Sequence, residues 1–198
     1  GTYNIHVGKG MDKILDLKRI SDIILSNNAD AIGLQEVDRF TDRSGKTDQF
    51  DELKKLTKMN GVFGKSIDFQ NGEYEIAILT KGKIIEYKHN LLPPGEEPEQ
   101  RSYLTAKIQI NENIITVINT HFSLNANDRR AAVEAVLKDM ENLSEPIIFM
   151  GDFNEDAKSR EYVYQVLSRR FYDSFAQYKK LTSAKDFTGF TFPSDIPD

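Results

Sequence analysis

The chain has 198 residues, a net charge of −5 and no cysteine. The acidic balance argues against a surface built for non-specific duplex DNA binding, which depends on many lysines and arginines that neutralise phosphates. No apolar run approaches the ~20 residues that a membrane span needs, and the absence of cysteine excludes disulfides and thiolate metal sites.

The first third of the chain alternates between strand and helix patterns. Short apolar runs predict strands over residues 2–7 and 31–37. Apolar residues at helical spacing predict helices over residues 12–27, with Asp12 as the N-cap, and over residues 47–59. This β-α-β-α order is typical of neighbouring strands joined by crossover helices. We therefore predict one α/β (α+β) domain over residues 1–198.

The middle of the chain is built from hairpins. Asn71-Gly72 is a strong short-range turn signal between two strand patterns, and a second tight turn follows at residues 81–83. We predict strands over residues 62–69, 74–80, 84–92, 103–110 and 114–122. A helix capped by Asn127 or Asp128 should then lead to a buried strand within residues 146–154. Beyond it we predict a helix that starts at Ser159, and strands over residues 171–175 and 188–192.

Polar side chains follow four of the predicted strands at the point where each strand ends. Each strand is mostly apolar upstream of its polar residues, so we expect these groups to collect along one rim of a sandwich. Polar residues that cluster at strand ends on a rigid scaffold are typical of an active site. The candidates are Asn4 with His6, Glu36, Asn119 with His121, and Asp152 with Asn154.

This set of side chains suits a hard, oxygen-preferring cation such as Mg²⁺, with Mn²⁺ as an alternative. It does not suit zinc, which needs several histidine or cysteine ligands. Each residue also has a purely structural interpretation. Glu36 alone could be a solvated carboxylate, and His121 could be a satisfied polar residue near the core. Asp152 and Asn154 could form an Asx turn.

The motifs Thr-Tyr-Asn-Ile-His, Gln-Glu-Val-Asp, Asn-Thr-His-Phe and Gly-Asp-Phe-Asn, in this order, resemble the endonuclease/exonuclease/phosphatase superfamily, which is related to DNase I. The match runs over nearly the whole chain. The resemblance implies a DNase I-like four-layer sandwich of two mixed, largely antiparallel sheets flanked by helices. It also implies hydrolysis of a phosphodiester or phosphomonoester by a water molecule with the help of Mg²⁺.

Roles around the metal and the water follow from this resemblance. Glu36 matches the metal-binding glutamate of the family. Asn4 matches the asparagine that holds this glutamate and the metal-bound water, so we place it with the metal. Asp152 resembles the aspartate that orients the nucleophilic water.

The resemblance also implies roles around the phosphate. His121 looks like the histidine that bonds the phosphoryl oxygen as charge develops, and Asn119 lies beside it as a catalytic candidate. Asn154 resembles the asparagine that contacts the phosphate, and Arg101 resembles an arginine that does the same. Such residues act through charge stabilisation and positioning.

The end of the chain departs from the family pattern. The pattern continues with Ile-Asp-Tyr and closes with Ser-Asp-His, whose histidine is the general base, whereas no histidine follows Asp152 here. We therefore expect the chain to be truncated at its C-terminus and, without that tail, to be inactive. The alternatives are a non-catalytic binding module of the same fold and an unrelated α/β protein with polar strand ends.

The substrate is left open between a phosphorylated lipid, a sugar phosphate and a nucleic acid. A nuclease is an alternative function, although the acidic balance counts against it. We expect a monomer. The sequence assigns no cellular location.

Overall fold

Two four-stranded sheets dominate the computed structural model, which describes residues 1–182. The first sheet has the order β1-β2-β4-β3, and the second has the order β5-β6-β7-β8. The strands are β1 (Thr2–Asn4), β2 (Ala31–Arg39), β3 (Asn60–Phe69), β4 (Gly72–Thr80), β5 (Lys83–Leu91), β6 (Ser102–Ile110), β7 (Asn113–His121) and β8 (Ile147–Asp152). The helices are α1 (Leu17–Ser26), α2 (Gln49–Thr57), α3 (Ala126–Asp139), α4 (Tyr162–Ser168) and α5 (Ser174–Thr182).

Both sheets are mixed. Strands β1 and β2 pair in parallel, as do β7 and β8, and the other neighbours pair antiparallel. The predicted fold class, an α/β sandwich of two mixed and largely antiparallel sheets, is confirmed. The parallel pairing of β1 with β2 ends at Asn4 and Gln35, one residue before Glu36, and that of β7 with β8 ends at His121 and Asp152. Each parallel pair therefore brings predicted polar residues together.

Two apolar cores hold the layers together. One core includes Ile76, Leu104 and Ile108 and lies between the sheets. The other includes Ile24 and Leu53 and lies between the first sheet and helices α1 and α2. Strand β4 is buried on both faces, which explains its continuous apolar run. Each fully buried aliphatic side chain contributes about 1.5–3 kcal/mol relative to an exposed one.

Helix α3 covers the second sheet. The Tyr103 hydroxyl on β6 donates a hydrogen bond to the Asp139 carboxylate at the end of α3. Helix α3 turns Ala132, Val133 and Val136 into the interior. With α1 and α2 on the other side, this completes the predicted helix-sheet-sheet-helix layering.

Helix α1 begins later than predicted, and Asp16 rather than Asp12 caps it. The Asp16 carboxylate accepts the backbone N–H of Arg19. The residues before it form a turn in which the backbone N–H of Gly10 donates to the carbonyl of Ile14. Asp12 lies in that turn and pairs with Arg19 instead. With several acidic residues near the start of a helix, the turn decides which one becomes the cap.

Helix α3 is capped by Asn125, and not by Asn127 or Asp128 as predicted. The Asn125 side chain accepts the backbone N–H groups of both of those residues. The carboxylate of Asp128 instead accepts the backbone N–H groups of Glu96 and Glu97. Asp128 therefore anchors the proline-rich loop that leads to Arg101.

The chain divides into two compact units, Gly1–Asn154 and Glu155–Asp198. In the second unit, Glu161 rather than Ser159 stands at the start of α4. The strand predicted over residues 171–175 is wrong, because Asp173 accepts the N–H groups of Phe175 and Ala176 and starts α5. The strand predicted over residues 188–192 lies outside the described residues. The single domain predicted over residues 1–198 stays a prediction.

Within residues 1–182, no helix is both long enough and apolar enough to cross a membrane.

Candidate active site

The amide of Asn4 joins two of the predicted site residues. Its Nδ2 atom donates to Glu36 Oε1 at 2.9 Å and to Asp152 Oδ2 at 3.1 Å. Its Oδ1 atom accepts the backbone N–H of His6 at 3.0 Å, which fixes the orientation of the amide. Asn4 and Asp152 are thus in direct contact although they are 148 positions apart in the sequence. His6 is exposed and contributes through its backbone.

Glu36 occupies an irregular position in β2. The register of β2 against β4 shifts between Leu34 and Val37, which marks a bulge. Glu36 has a φ of 59°, in the left-handed region that residues other than glycine seldom adopt. Bulges and such backbone strain concentrate at functional sites because they redirect a side chain. Here the bulge places the carboxylate against the amide of Asn4.

His121 is held by a buried carboxylate. Its Nδ1 atom lies 2.7 Å from Glu75 Oε1, and its Nε2 atom lies 4.0 Å from Asp152 Oδ2. Because a carboxylate only accepts hydrogen bonds, we assign the proton to Nδ1, which leaves Nε2 facing Asp152. Burial alone lowers the pKa of His121, but the hydrogen bond and charge of Glu75 outweigh burial and raise this pKa above its usual value.

Glu75 is a candidate functional residue that the sequence reasoning missed. It has no exposed surface and lies within β4, between apolar residues on both sides. Its sequence signal was a charged residue directly before the apolar run of residues 76–79. A buried carboxylate is costly unless it is paired, so such a position implies a partner. The partner is His121, 46 positions away.

Arg101 is largely buried among carboxylates. Its Nη1 atom lies 2.9 Å from Glu99 and 3.6 Å from Glu75, and its Nη2 atom lies 3.4 Å from Glu97. Nη1 is also 3.1 Å from His121 Nδ1, so Arg101 borders the imidazole on the side of Glu75. Burial lowers the pKa of Arg101, but the surrounding carboxylates outweigh burial and raise it.

Asn154 follows β8 in an Asx turn. Its backbone N–H donates to Asp152 Oδ1 at 3.0 Å, and its Nδ2 atom donates to the carbonyl of Phe122 at 2.8 Å. The turn fixes the Asp152 carboxylate from one side while Asn4 holds it from the other. The Asx turn formed by Asp152 and Asn154 is therefore compatible with a role of both residues at the site.

Asn119 bonds interior groups rather than the other candidates. It is completely buried, and its Nδ2 atom donates to the carbonyls of Leu34 and Ala77 at 2.9 Å each. Its Oδ1 atom accepts a hydrogen bond from Gln35 at 2.6 Å. A side chain at Gly33 would collide with this amide, so the close approach depends on glycine. The amide of Asn119 thus connects the two sheets, and its hydrogen bonds are used in the interior.

We expect Asn119→Ala to destabilise the fold, because it leaves two buried carbonyls without their donor. A buried polar group that loses its partner costs about 1–3 kcal/mol, so the loss should be about 3 kcal/mol. Urea denaturation measures it. Asn113→Ala is the matched control, because Asn113 is exposed on the same strand. Equal stability of the two variants, together with a loss of turnover in Asn119→Ala alone, would instead support the predicted catalytic role.

The side chains available as metal ligands fit a magnesium ion. Mg²⁺ is commonly held by one or two carboxylates together with water and substrate phosphate. Glu36 provides such a carboxylate, whereas the oxygen of Asn4 is already engaged by His6. Asn4 therefore fits the role of holding Glu36 better than that of a direct ligand. Among residues 1–182 no group of three or more His, Cys, Asp or Glu side chains could form a denser metal site.

The fold and the polar rim together define an α/β sandwich that carries a carboxylate, amide and imidazole cluster at its strand ends. A family model described as "Endonuclease/Exonuclease/phosphatase family" matches residues 1–197, and the chain belongs to this family. The superfamily consists of phosphoesterases and nucleases, and it generally uses divalent metals.

Solved structures share the fold at low sequence identity. An endonuclease/exonuclease/phosphatase from Beutenbergia cavernae has a TM-score of 0.67 at 19% identity, covering 84% of this chain and 52% of its own. A mannosyl-6-phosphatase from Bacteroides thetaiotaomicron has a TM-score of 0.67 at 17% identity, with coverages of 85% and 69%. The human Nocturnin catalytic domain with bound sulfate has a TM-score of 0.67 at 21% identity, with coverages of 85% and 67%. The chain thus spans about half to two thirds of these structures.

Proposed function

We propose that this protein hydrolyses a phosphoester bond through the attack of a water molecule assisted by Mg²⁺, with Mn²⁺ as the alternative ion. The observation that carries the proposal is the meeting of four distant segments at one point. The amide of Asn4 touches both Glu36 and Asp152, and His121 Nε2 faces the same oxygen of Asp152. Membership in a family of phosphoesterases and nucleases supports the same conclusion.

In this proposal Glu36 holds the metal ion and Asn4 holds Glu36. When bound, Mg²⁺ supplies a Lewis acid that polarises the phosphoryl oxygen and stabilises transition-state charge. Glu36 is kept in place by its backbone bulge and by the 2.9 Å hydrogen bond from Asn4. Such preorganisation matters because the site does not have to rearrange as charge develops.

His121 and Asn154 bind the phosphoryl group, and Asp152 orients the water. The raised pKa of His121 favours an imidazolium whose Nε2–H can donate to an oxygen that gains negative charge. The second N–H of the Asn154 amide can donate to the phosphate while the first bonds Phe122. Asp152, fixed by Asn4 and by the Asx turn, accepts a hydrogen bond from the attacking water.

The experiment uses the protein expressed from its complete coding sequence. It is assayed with Mg²⁺ against plasmid DNA, sphingomyelin, phosphorylated inositols and hexose 6-phosphates, which represent the nucleic-acid, lipid and sugar classes. We expect turnover of one class that EDTA abolishes and that Mg²⁺ or Mn²⁺ restores. Turnover that is indifferent to EDTA would contradict the metal. Anion binding without any turnover would contradict hydrolysis and support a non-catalytic binding module.

A further inference from the structure

Three carboxylates share the single guanidinium of Arg101. Glu75, Glu97 and Glu99 all lie within 3.6 Å of its terminal nitrogens. Three negative charges and one positive charge give Arg101 and its three carboxylates a net charge of −2, and a protonated His121 brings this part of the site to −1. An arginine that binds phosphate usually presents free donors, and here those donors already face acidic partners.

Glu99 differs from the other two carboxylates in its exposure. Its side chain is 35% exposed, compared with 19% for Glu97 and 0% for Glu75. Glu97 is tied to Ser123 and to the backbone N–H of Leu124, and Glu75 is tied to His121. Burial and the charge of Glu75 raise the pKa of Glu99 despite the attraction of Arg101. Of the three carboxylates, Glu99 is therefore the one whose charged form its surroundings stabilise least. It is also the one most exposed to an incoming ligand.

We propose that Glu99 determines specificity by making the Arg101 end of the site favour a singly charged phosphodiester over a doubly charged phosphomonoester. An anion that approaches Arg101 comes close to Glu99, which lies 2.9 Å from the same guanidinium. Repulsion between like charges grows in proportion to the charge of the ligand, so a dianion is penalised more than a monoanion. The inference rests on the proposed phosphoesterase function and narrows its substrate class.

The first test measures binding without any chemical step. Methylphosphonate is a dianion at about pH 9, above the second ionisation of such groups, and dimethylphosphinate is a monoanion of similar size. Neither compound carries an ester bond. Their affinities for the wild type, Glu99→Gln and Glu96→Gln are measured by titration calorimetry at one Mg²⁺ concentration. Glu96 is the matched control, because it lies in the same loop, is exposed and bonds Asn125 and Asn127.

We expect Glu99→Gln to bind methylphosphonate about tenfold more tightly, because one unit charge near the ligand has been removed. The affinity for dimethylphosphinate should rise by about threefold or less, and Glu96→Gln should change both affinities by less than about twofold. If Glu99→Gln and Glu96→Gln changed the two affinities equally, the effect would come from the overall charge of the loop and not from Glu99. That result would overturn the proposal. Weaker binding in Glu99→Gln would also overturn it, since Glu99 would then serve to hold Arg101 in place.

The second test follows turnover in the full-length protein. The ratio of the rate on bis(4-nitrophenyl) phosphate to the rate on 4-nitrophenyl phosphate should fall by at least about threefold in Glu99→Gln and stay constant in Glu96→Gln. A constant ratio in an active Glu99→Gln variant would refute the role of Glu99. If the wild type hydrolyses neither of these compounds nor any substrate class named above while the binding differences are observed, the phosphoesterase proposal fails and charge selection at Arg101 stands.

Discussion

Replacing Glu36 with Gln is expected to reduce phosphoester hydrolysis by about 10²–10³-fold or more, because the substitution removes the carboxylate proposed to hold the metal. The change is nearly isosteric, and the amide oxygen of Gln can still accept the hydrogen bond that Asn4 now donates to Oε1. The fold should therefore survive, and the loss should reflect metal binding. Two measurements test whether the loss reflects metal binding, namely kcat/KM as a function of Mg²⁺ concentration and direct titration of Mg²⁺ by calorimetry.

Glu112→Gln is the matched control for this variant. Glu112 is exposed in the turn between β6 and β7, at the opposite end of β7 from His121. Nine extended residues separate Glu112 from His121 by about 30 Å, so the same change in charge should leave rate and metal affinity unaltered. A Glu36→Gln variant that keeps the full rate would show that the metal is held elsewhere. A rate that recovers at high Mg²⁺ would support Glu36 as the ligand.

The strands predicted over residues 2–7 and 31–37 in fact end at Asn4 and Arg39, but the polar positions that follow apolar runs could be predicted because they depend on local pattern. Glu36 and Asp152 follow apolar runs, and the order of the motifs indicates which strands end together. Strand alternation also predicts that Asn119 and His121 share a face of β7. Alternation does not indicate whether a residue lies in the interior of the sandwich or at its rim. Asn119 lies in the interior, whereas His121, two residues further on, reaches the rim.

Glu75 and the carboxylates of the proline-rich loop could not be predicted in the same way. Glu75 meets His121 only because β4 and β7 belong to different sheets that pack face to face. Pairings of this kind depend on the packing of whole layers, and a local sequence pattern does not encode that packing. The position of Glu99 next to Arg101 depends similarly on Asp128, which holds the loop from the start of α3.

The buried pair of Glu75 and His121 makes a second large effect predictable. Removing one member of a buried ion pair leaves the other uncompensated, which costs about 3–5 kcal/mol. We therefore expect Glu75→Gln to lower the free energy of unfolding by about 3 kcal/mol near pH 6. Urea denaturation measures this loss, with Glu112→Gln as the exposed control. A loss no larger than that of the control would show that the pair contributes little to stability.

The same substitution should change how stability depends on pH. Glu75 raises the pKa of His121 above its usual 6.5, so the folded state binds the proton more tightly than the unfolded state does. The resulting stabilisation is complete below about pH 6.5 and is lost as the pH rises through the folded-state pKa. In Glu75→Gln, burial and the positive charge of Arg101 remain and lower the pKa of His121, so this loss of stability at rising pH should disappear.

NMR titration of the imidazole signals tests the cause directly, because the chain has only three histidines. The pKa of His121 should fall in Glu75→Gln, while the exposed His6 serves as an internal reference. An unchanged His121 pKa would show that another group holds its proton. If the pKa falls and kcat falls with it while KM stays constant, Glu75 acts as a positioning residue that sets the protonation of His121 for the transition state.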